Sequence, residues 1–196
     1  MASRGQWIIV GVIVAVLGGT LVAGMSLSED IKPVRPGSEA PNLKMLNLGT
    51  DDSVELADYF GDVVLLNIWA TWCAPCEQEM PAIQRLHEQY GPKGVKVVAV
   101  SVDASDSKEV LEWVAKRNLT FDVLHDRSGQ IERLYQTTGW PESFVIDQEG
   151  VIVKHEIGPR EWDQPPHTAI FNRLLGIEET DPLEVSQEAD RNDEGS

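Results

Sequence analysis

Both cysteines of this chain, Cys73 and Cys76, lie in one stretch, Trp69 to Pro81, which reads WATWCAPCEQEMP. Two thiols two residues apart can clip a metal, staple a fold or exchange electrons. One C-x-x-C supplies only two of the four ligands of a structural zinc, and no second cysteine pair or H-x3-5-H follows it. A disulfide between near neighbours closes a very small loop and restricts the unfolded chain little, so stapling is poorly motivated. Redox exchange is the reading best supported. A cysteine that ends a strand and opens a helix faces unpaired backbone N–H groups and the positive end of the dipole. Both favour the thiolate, which is the attacking species in exchange. On this reading Cys73 is the exposed, attacking thiol and Cys76, one turn in, is the shielded resolving thiol. The four histidines, His87, His125, His155 and His167, have no ligand spacing among themselves, so neither a metal site nor a cofactor is expected.

The elements that must hold this pair can be read from periodicity. Val63–Trp69, VVLLNIW, is a continuous apolar run suited to a central strand buried on both faces. Cys73–Tyr90 is expected to be helical, with Cys76, Met80, Ile83, Leu86 and Tyr90 at spacings of three and four, and with a kink at Pro81. Val95–Val102 is a second buried strand. Asp106 and Glu109 suggest a capping box for a helix with Val110, Leu111 and Val114 inward. A short hairpin precedes these elements, around Gly49-Thr50-Asp51-Asp52. Thr120–Leu124 reads as a strand, Gln130–Gln136 as a short helix, and SFVID and VIVKHEI as an antiparallel hairpin. A last helix covers His167–Leu175. Alternating strands and helices followed by a hairpin and a helix give an α/β fold with a mixed central sheet flanked by helices.

These residues also carry a family resemblance. The stretch IWATWCAPC, followed by Pro81, is similar to the thioredoxin fold, and TGWPESFVID (Thr138–Asp147) supplies a second, distant match. Together they resemble the membrane-anchored thioredoxin-like thiol-disulfide oxidoreductases of the TlpA, ResA and CcmG (DsbE) type, over about residues 38–176. The resemblance implies that Pro141 is the cis-proline facing the cysteine pair. It also implies that Trp72, Trp140 and Pro141 border the client groove, and that Glu79 is the active-site acid. Glu79 lies three residues after Cys76, on the same side of the helix. Asn67 stands where ordinary thioredoxins have a buried Asp, and it cannot ionise, so Glu79 is expected to take over proton transfer and tuning of the Cys76 thiol. Trp140 departs from the small or β-branched residue usual before that proline. Pro75 before the second cysteine suits an electron donor, and the cytochrome c maturation branch implies apocytochrome c as client, with a membrane thiol-electron transporter as reductant. A general extracytoplasmic disulfide reductase, a copper-site cysteine reductase and a Cu(I)-binding metallochaperone are the alternatives. A peroxidase would want Thr at position 70, where the chain has Ala70, with Thr71 one residue too close. Trp113 and Trp162 are expected to pack.

The remainder concerns location. Trp7–Met25 is a run of nineteen residues without charge, preceded by Arg4 and followed by Glu29 and Asp30. It can span a hydrocarbon core of about 30 Å, with the domain outside. Residues 1–25 are therefore expected to form a retained transmembrane anchor of the inner membrane, or else a signal segment cleaved near Val22-Ala23-Gly24. Residues 26–37 read as a linker, 38–176 as the thioredoxin-like domain and 177–196 as a disordered acidic tail. Lys and Arg number 16 against 32 Asp and Glu, a net charge of -16, which argues against nucleic acid as a partner.

Overall fold

The computed structural model describes residues 4–26 and 33–177. The expected acidic tail from residue 178 onward and half of the expected linker, residues 27–32, lie outside the described residues. The chain divides into two compact units, residues 1–32 and 33–196. The first holds one helix, α1 (Arg4–Ser26), over the apolar run. Counted over the described residues alone, no helix is long and apolar enough to cross a membrane.

The second unit is built on a seven-stranded sheet in the order β2-β1-β5-β4-β3-β6-β7. Its strands are β1 (Lys44–Asn47), β2 (Ser53–Glu55), β3 (Val63–Trp69), β4 (Val95–Ser101), β5 (Asp122–His125), β6 (Glu142–Ile146) and β7 (Ile152–Ile157). Pairs β3–β4 and β4–β5 are parallel, and the other four neighbouring pairs are antiparallel. The helices are α2 (Ala74–Tyr90), α3 (Ser107–Lys116), α4 (Gln130–Tyr135) and α5 (His167–Leu175). The mixed sheet, the flanking helices and the early β1–β2 hairpin are those of a thioredoxin fold.

Every residue of β3 is fully buried. Successive side chains of a strand point to opposite faces, so this one strand divides the core in two. Val63, Leu65 and Trp69 pack with Met80, Ile83 and Leu86 of α2, Val110 of α3 and Phe171 of α5. Val64, Leu66 and Ile68 pack on the other face with Ile131 and Tyr135 of α4 and with Phe144 and Ile152. Burying one such Val, Leu or Ile side chain stabilises by about 1.5–3 kcal/mol, so β3 is a major source of stability. Asn67 is the one polar residue on β3. By the same alternation it faces α2, and that placement governs the site described below.

Two details of α3 differ from the sequence expectation. Within α3, Val110 and Val114 are buried, but Leu111 is exposed. Residues 110 and 111 are about 100° apart around a helix, and only one of them can point squarely at a flat sheet. Asp106 caps α3 by accepting from Lys108 N–H at 2.9 Å. Pro81 lies inside α2, which continues through it to Tyr90. The turn between β6 and β7 depends on Gly150, at φ +83°, where an added Cβ would lie 2.5 Å from the Phe60 ring.

Candidate active site

Cys73 and Cys76 form a disulfide. Cys73 is the N-cap of α2, with extended backbone, and its Sγ accepts the Cys76 N–H at 3.2 Å. The helix therefore starts one residue later than periodicity suggests, with Pro75 in its first turn, where a missing N–H costs nothing. An open helix terminus directs its free N–H groups and positive dipole end at Cys73 Sγ, which supports a thiolate there once the bond is reduced. Cys76 is fully buried and Cys73 is 6% exposed. Cys73 is thus the more open of the two, yet far less open than the sequence reading expected, because both sulfurs sit in the core cluster around Trp69, Ala70 and Met80.

One turn into α2, Glu79 is buried, with 2% of its surface exposed. Three donors, two from the loop after β7 and one from β3, converge on its carboxyl. Trp162 donates its indole N–H to Oε1, and the Arg160 backbone N–H donates to the same oxygen at 3.2 Å. Asn67 Nδ2 donates to Oε2 at 3.2 Å and also to Ser143 Oγ at 2.8 Å. The other end of the amide, Asn67 Oδ1, is buried without a hydrogen-bond partner. Burial raises the Glu79 pKa from 4.5 to about 7. It outweighs the lowering by the bonds from Trp162, Arg160 and Asn67 and by the Arg160 charge. A carboxyl poised near neutrality is suited to taking and returning protons at ordinary pH.

The opposite lip of the site is the start of β6. The peptide bond between Trp140 and Pro141 is cis, and β6 pairs with β3 through Ile68↔Glu142, so Pro141 lies beside the end of β3 that leads to Cys73. Trp72 and Trp140 are 62% and 39% exposed, and their rings meet edge to face at 5.2 Å. The structure therefore brings Asn67 to Glu79, Trp72 to Trp140 and Pro141 to the strand end. Trp162 packs as expected, fully buried, but its N–H to Glu79 was not legible. It lies 83 residues from Glu79 in sequence, and no spacing signal links them. Ser143 was equally hidden, because it meets Asn67 only through the β3–β6 register, Asn67↔Ser143. The Thr71 hydroxyl is engaged by Asp103 at 2.5 Å. Among the described residues, no group of three or more His, Cys, Asp or Glu side chains could hold a metal ion.

The fold and a disulfide at a helix N-terminus define a thiol-disulfide oxidoreductase of thioredoxin type. Comparison with known proteins agrees. Residues 36–155 match the AhpC/TSA family model. The chain is 35% identical over 157 residues to the thiol-disulfide oxidoreductase ResA of Bacillus thuringiensis subsp. konkukian, covering 80% of this chain and 88% of that protein. It is 39% identical over 155 residues to ResA of Oceanobacillus iheyensis, covering 76% and 80% respectively. A solved structure described as thiol:disulfide interchange protein DsbE from Chlorobium tepidum is similar at TM-score 0.67 and 34% identity, over 73% of this chain and 99% of that one. This chain belongs to the AhpC/TSA family, among the ResA-type thiol-disulfide oxidoreductases.

Proposed function

We propose that this protein is an extracytoplasmic disulfide reductant that keeps the cysteines of apocytochrome c reduced for haem attachment. The observation that carries the reading is Cys73 Sγ at the N-cap of α2, with the buried Glu79 carboxyl one turn behind the resolving thiol. In the reduced protein the Cys73 thiolate attacks one sulfur of a client disulfide. The Cys73–client bond forms, the client S–S bond breaks, and the departing client thiolate takes a proton. Cys76 then loses its proton to Glu79 and attacks Cys73 Sγ. The Cys73–Cys76 bond forms, the second client thiolate leaves, and Glu79 returns the proton to it. Two electrons have passed to the client, and the protein is left as the disulfide seen here. A membrane thiol-electron transporter restores the dithiol.

Trp72, Trp140 and Pro141 border the groove that receives the client. Residues 1–25 act as a retained anchor, with residues 26–37 as the tether of the thioredoxin-like domain. The charge-free run from Trp7 to Met25 supports this reading. Thiol–disulfide exchange runs between the cysteine pair and the client sulfurs alone.

Cys76→Ala tests the proposal, since it removes the resolving thiol and leaves Cys73 to hold its client as a mixed disulfide. Apocytochrome c trapped on Cys73 in membranes of the producing cell is the expected result. A trap that holds other disulfide proteins and no apocytochrome would defeat the maturation role and leave a general reductase. Retention in the membrane pellet after alkaline extraction is expected for the anchor, and release to the supernatant would overturn it.

A further inference from the structure

Two buried carboxylates, Asp103 and Glu142, stand outside the redox network, and each ties down a loop at the mouth of the site. β3 and β4 run parallel in register to Trp69↔Ser101, so the segments leaving them run side by side and bring Asp103 against Thr71. The Asp103 carboxylate accepts the Thr71 N–H at 3.0 Å, the Thr71 hydroxyl at 2.5 Å and the Ser101 hydroxyl at 2.7 Å. Its backbone carbonyl lies 2.8 Å from His125 Nε2. A carbonyl only accepts, so Nε2 donates to it, and Nδ1 lies 2.9 Å from the Ser107 hydroxyl.

Glu142 reaches back across its own loop. One oxygen accepts the Thr138 N–H at 2.8 Å and the Gly139 N–H at 3.4 Å. The other meets His155 Nε2 at 2.6 Å, and that ring is stacked on Phe144 at 4.4 Å. Thr71 directly precedes Trp72, and Gly139 directly precedes Trp140. Trp72 and Trp140 are therefore both carried on segments pinned from inside the protein. Apolar closure of a loop is generally less costly than burying a carboxylate, so two such carboxylates on two facing loops point to a demand on position.

We propose that Asp103 and Glu142 are positioning residues that hold Trp72 and Trp140 as one rigid aromatic wall beside Cys73, and that this wall selects polypeptide disulfides over small ones. The inference rests on the groove reading above. Rigid aromatic side chains present a large contact area with little conformational entropy left to lose, and only an extended client can cover it.

The test compares kcat/KM for oxidised insulin and for 2-hydroxyethyl disulfide in the full chain, with near-ultraviolet circular dichroism reporting the coupled indoles. Asp103→Asn presents an amide N–H2 to donors, and Glu142→Ala removes the acceptor altogether. Each is expected to lower kcat/KM on insulin about tenfold, mainly through KM, as expected for losing buried hydrogen bonds that order the wall. The loss on the small disulfide should be several times less, and the indole signal should shrink. Glu142→Gln keeps an oxygen for Thr138 and Gly139 and should retain most of the insulin activity. If Trp140→Ala leaves insulin reduction intact, the groove reading fails. If Trp140→Ala lowers it while Asp103→Asn and Glu142→Ala keep their KM and indole signal, the positioning inference alone fails. Equal losses on both disulfides would also overturn it. Thr71→Val, which deletes one hydroxyl bond, stands in for an Asp103 variant that does not fold. It should show the same selectivity at about threefold, and no selectivity would refute the inference.

Discussion

Replacing Glu79 with Gln should make the protein more stable at alkaline pH and slower as a catalyst. In the folded state the Glu79 pKa is raised from 4.5 to about 7, with burial as the leading cause. The folded state thus holds this proton more tightly than the unfolded chain does. The stabilisation is fully present below about pH 4.5 and is lost as the pH rises through about 7. A gap of roughly 2.5 units at about 1.36 kcal/mol each amounts to about 3 kcal/mol, the cost of keeping a carboxylate in this site. Gln never pays that cost. Its oxygen still accepts from Trp162 and the Arg160 N–H, and its amide N–H2 can donate to Asn67 Oδ1 once the Asn67 amide is reversed. Urea unfolding of the oxidised protein at about pH 4 and about pH 8 should show wild type and variant separating by about 3 kcal/mol between the two conditions. The variant should be the more stable at the higher pH, and its disulfide exchange should lose the pH dependence centred near 7. Stability curves that stay parallel across that range would refute the argument, because they would mean that Glu79 titrates as an ordinary surface carboxyl.

Trp162→Phe keeps the packing but removes a bond that lowers the Glu79 pKa, so that pKa should rise further. Carbon-13 NMR of the Glu side chains reads it directly, and an unchanged or lower value would count against the network. Leu66→Ala empties a fully buried position at the centre of the sheet and should cost about 2–5 kcal/mol in urea unfolding, without altering the Glu79 titration. Asp106→Ala removes the cap bond to Lys108 N–H at the start of α3 and should cost about 1 kcal/mol by the same measurement, and no change would mean the cap is idle.

Much of this architecture is legible in local pattern. VVLLNIW announces a strand buried on both faces, and the 3–4 spacing from Cys76 to Tyr90 announces the helix it feeds. Together they set the cysteines at a strand-to-helix junction. Glu79 could be placed on the side of Cys76 because i and i+3 share a helix face. What local pattern lacks is the tertiary reach of the site. Trp162 comes from a loop after β7, Arg160 contributes only a backbone N–H that any residue would supply, and Ser143 arrives through the register of an antiparallel pair. Leu111 shows the opposite failure. Apolar identity suggested an inward face, but geometry allowed Val110 to take the inward direction and left Leu111 outside. The near-complete cover over Cys73 was also unreadable, since it depends on packing around Trp69, Ala70 and Met80 in three dimensions.

The central claim is that Cys73 and Cys76 form an electron-donating pair. Their reduction potential, measured by equilibration with a thiol-disulfide buffer of known potential, tests it most directly. A value close to that of thioredoxin, about -270 mV, is predicted, and a value near about -120 mV would mark an oxidant and contradict the account.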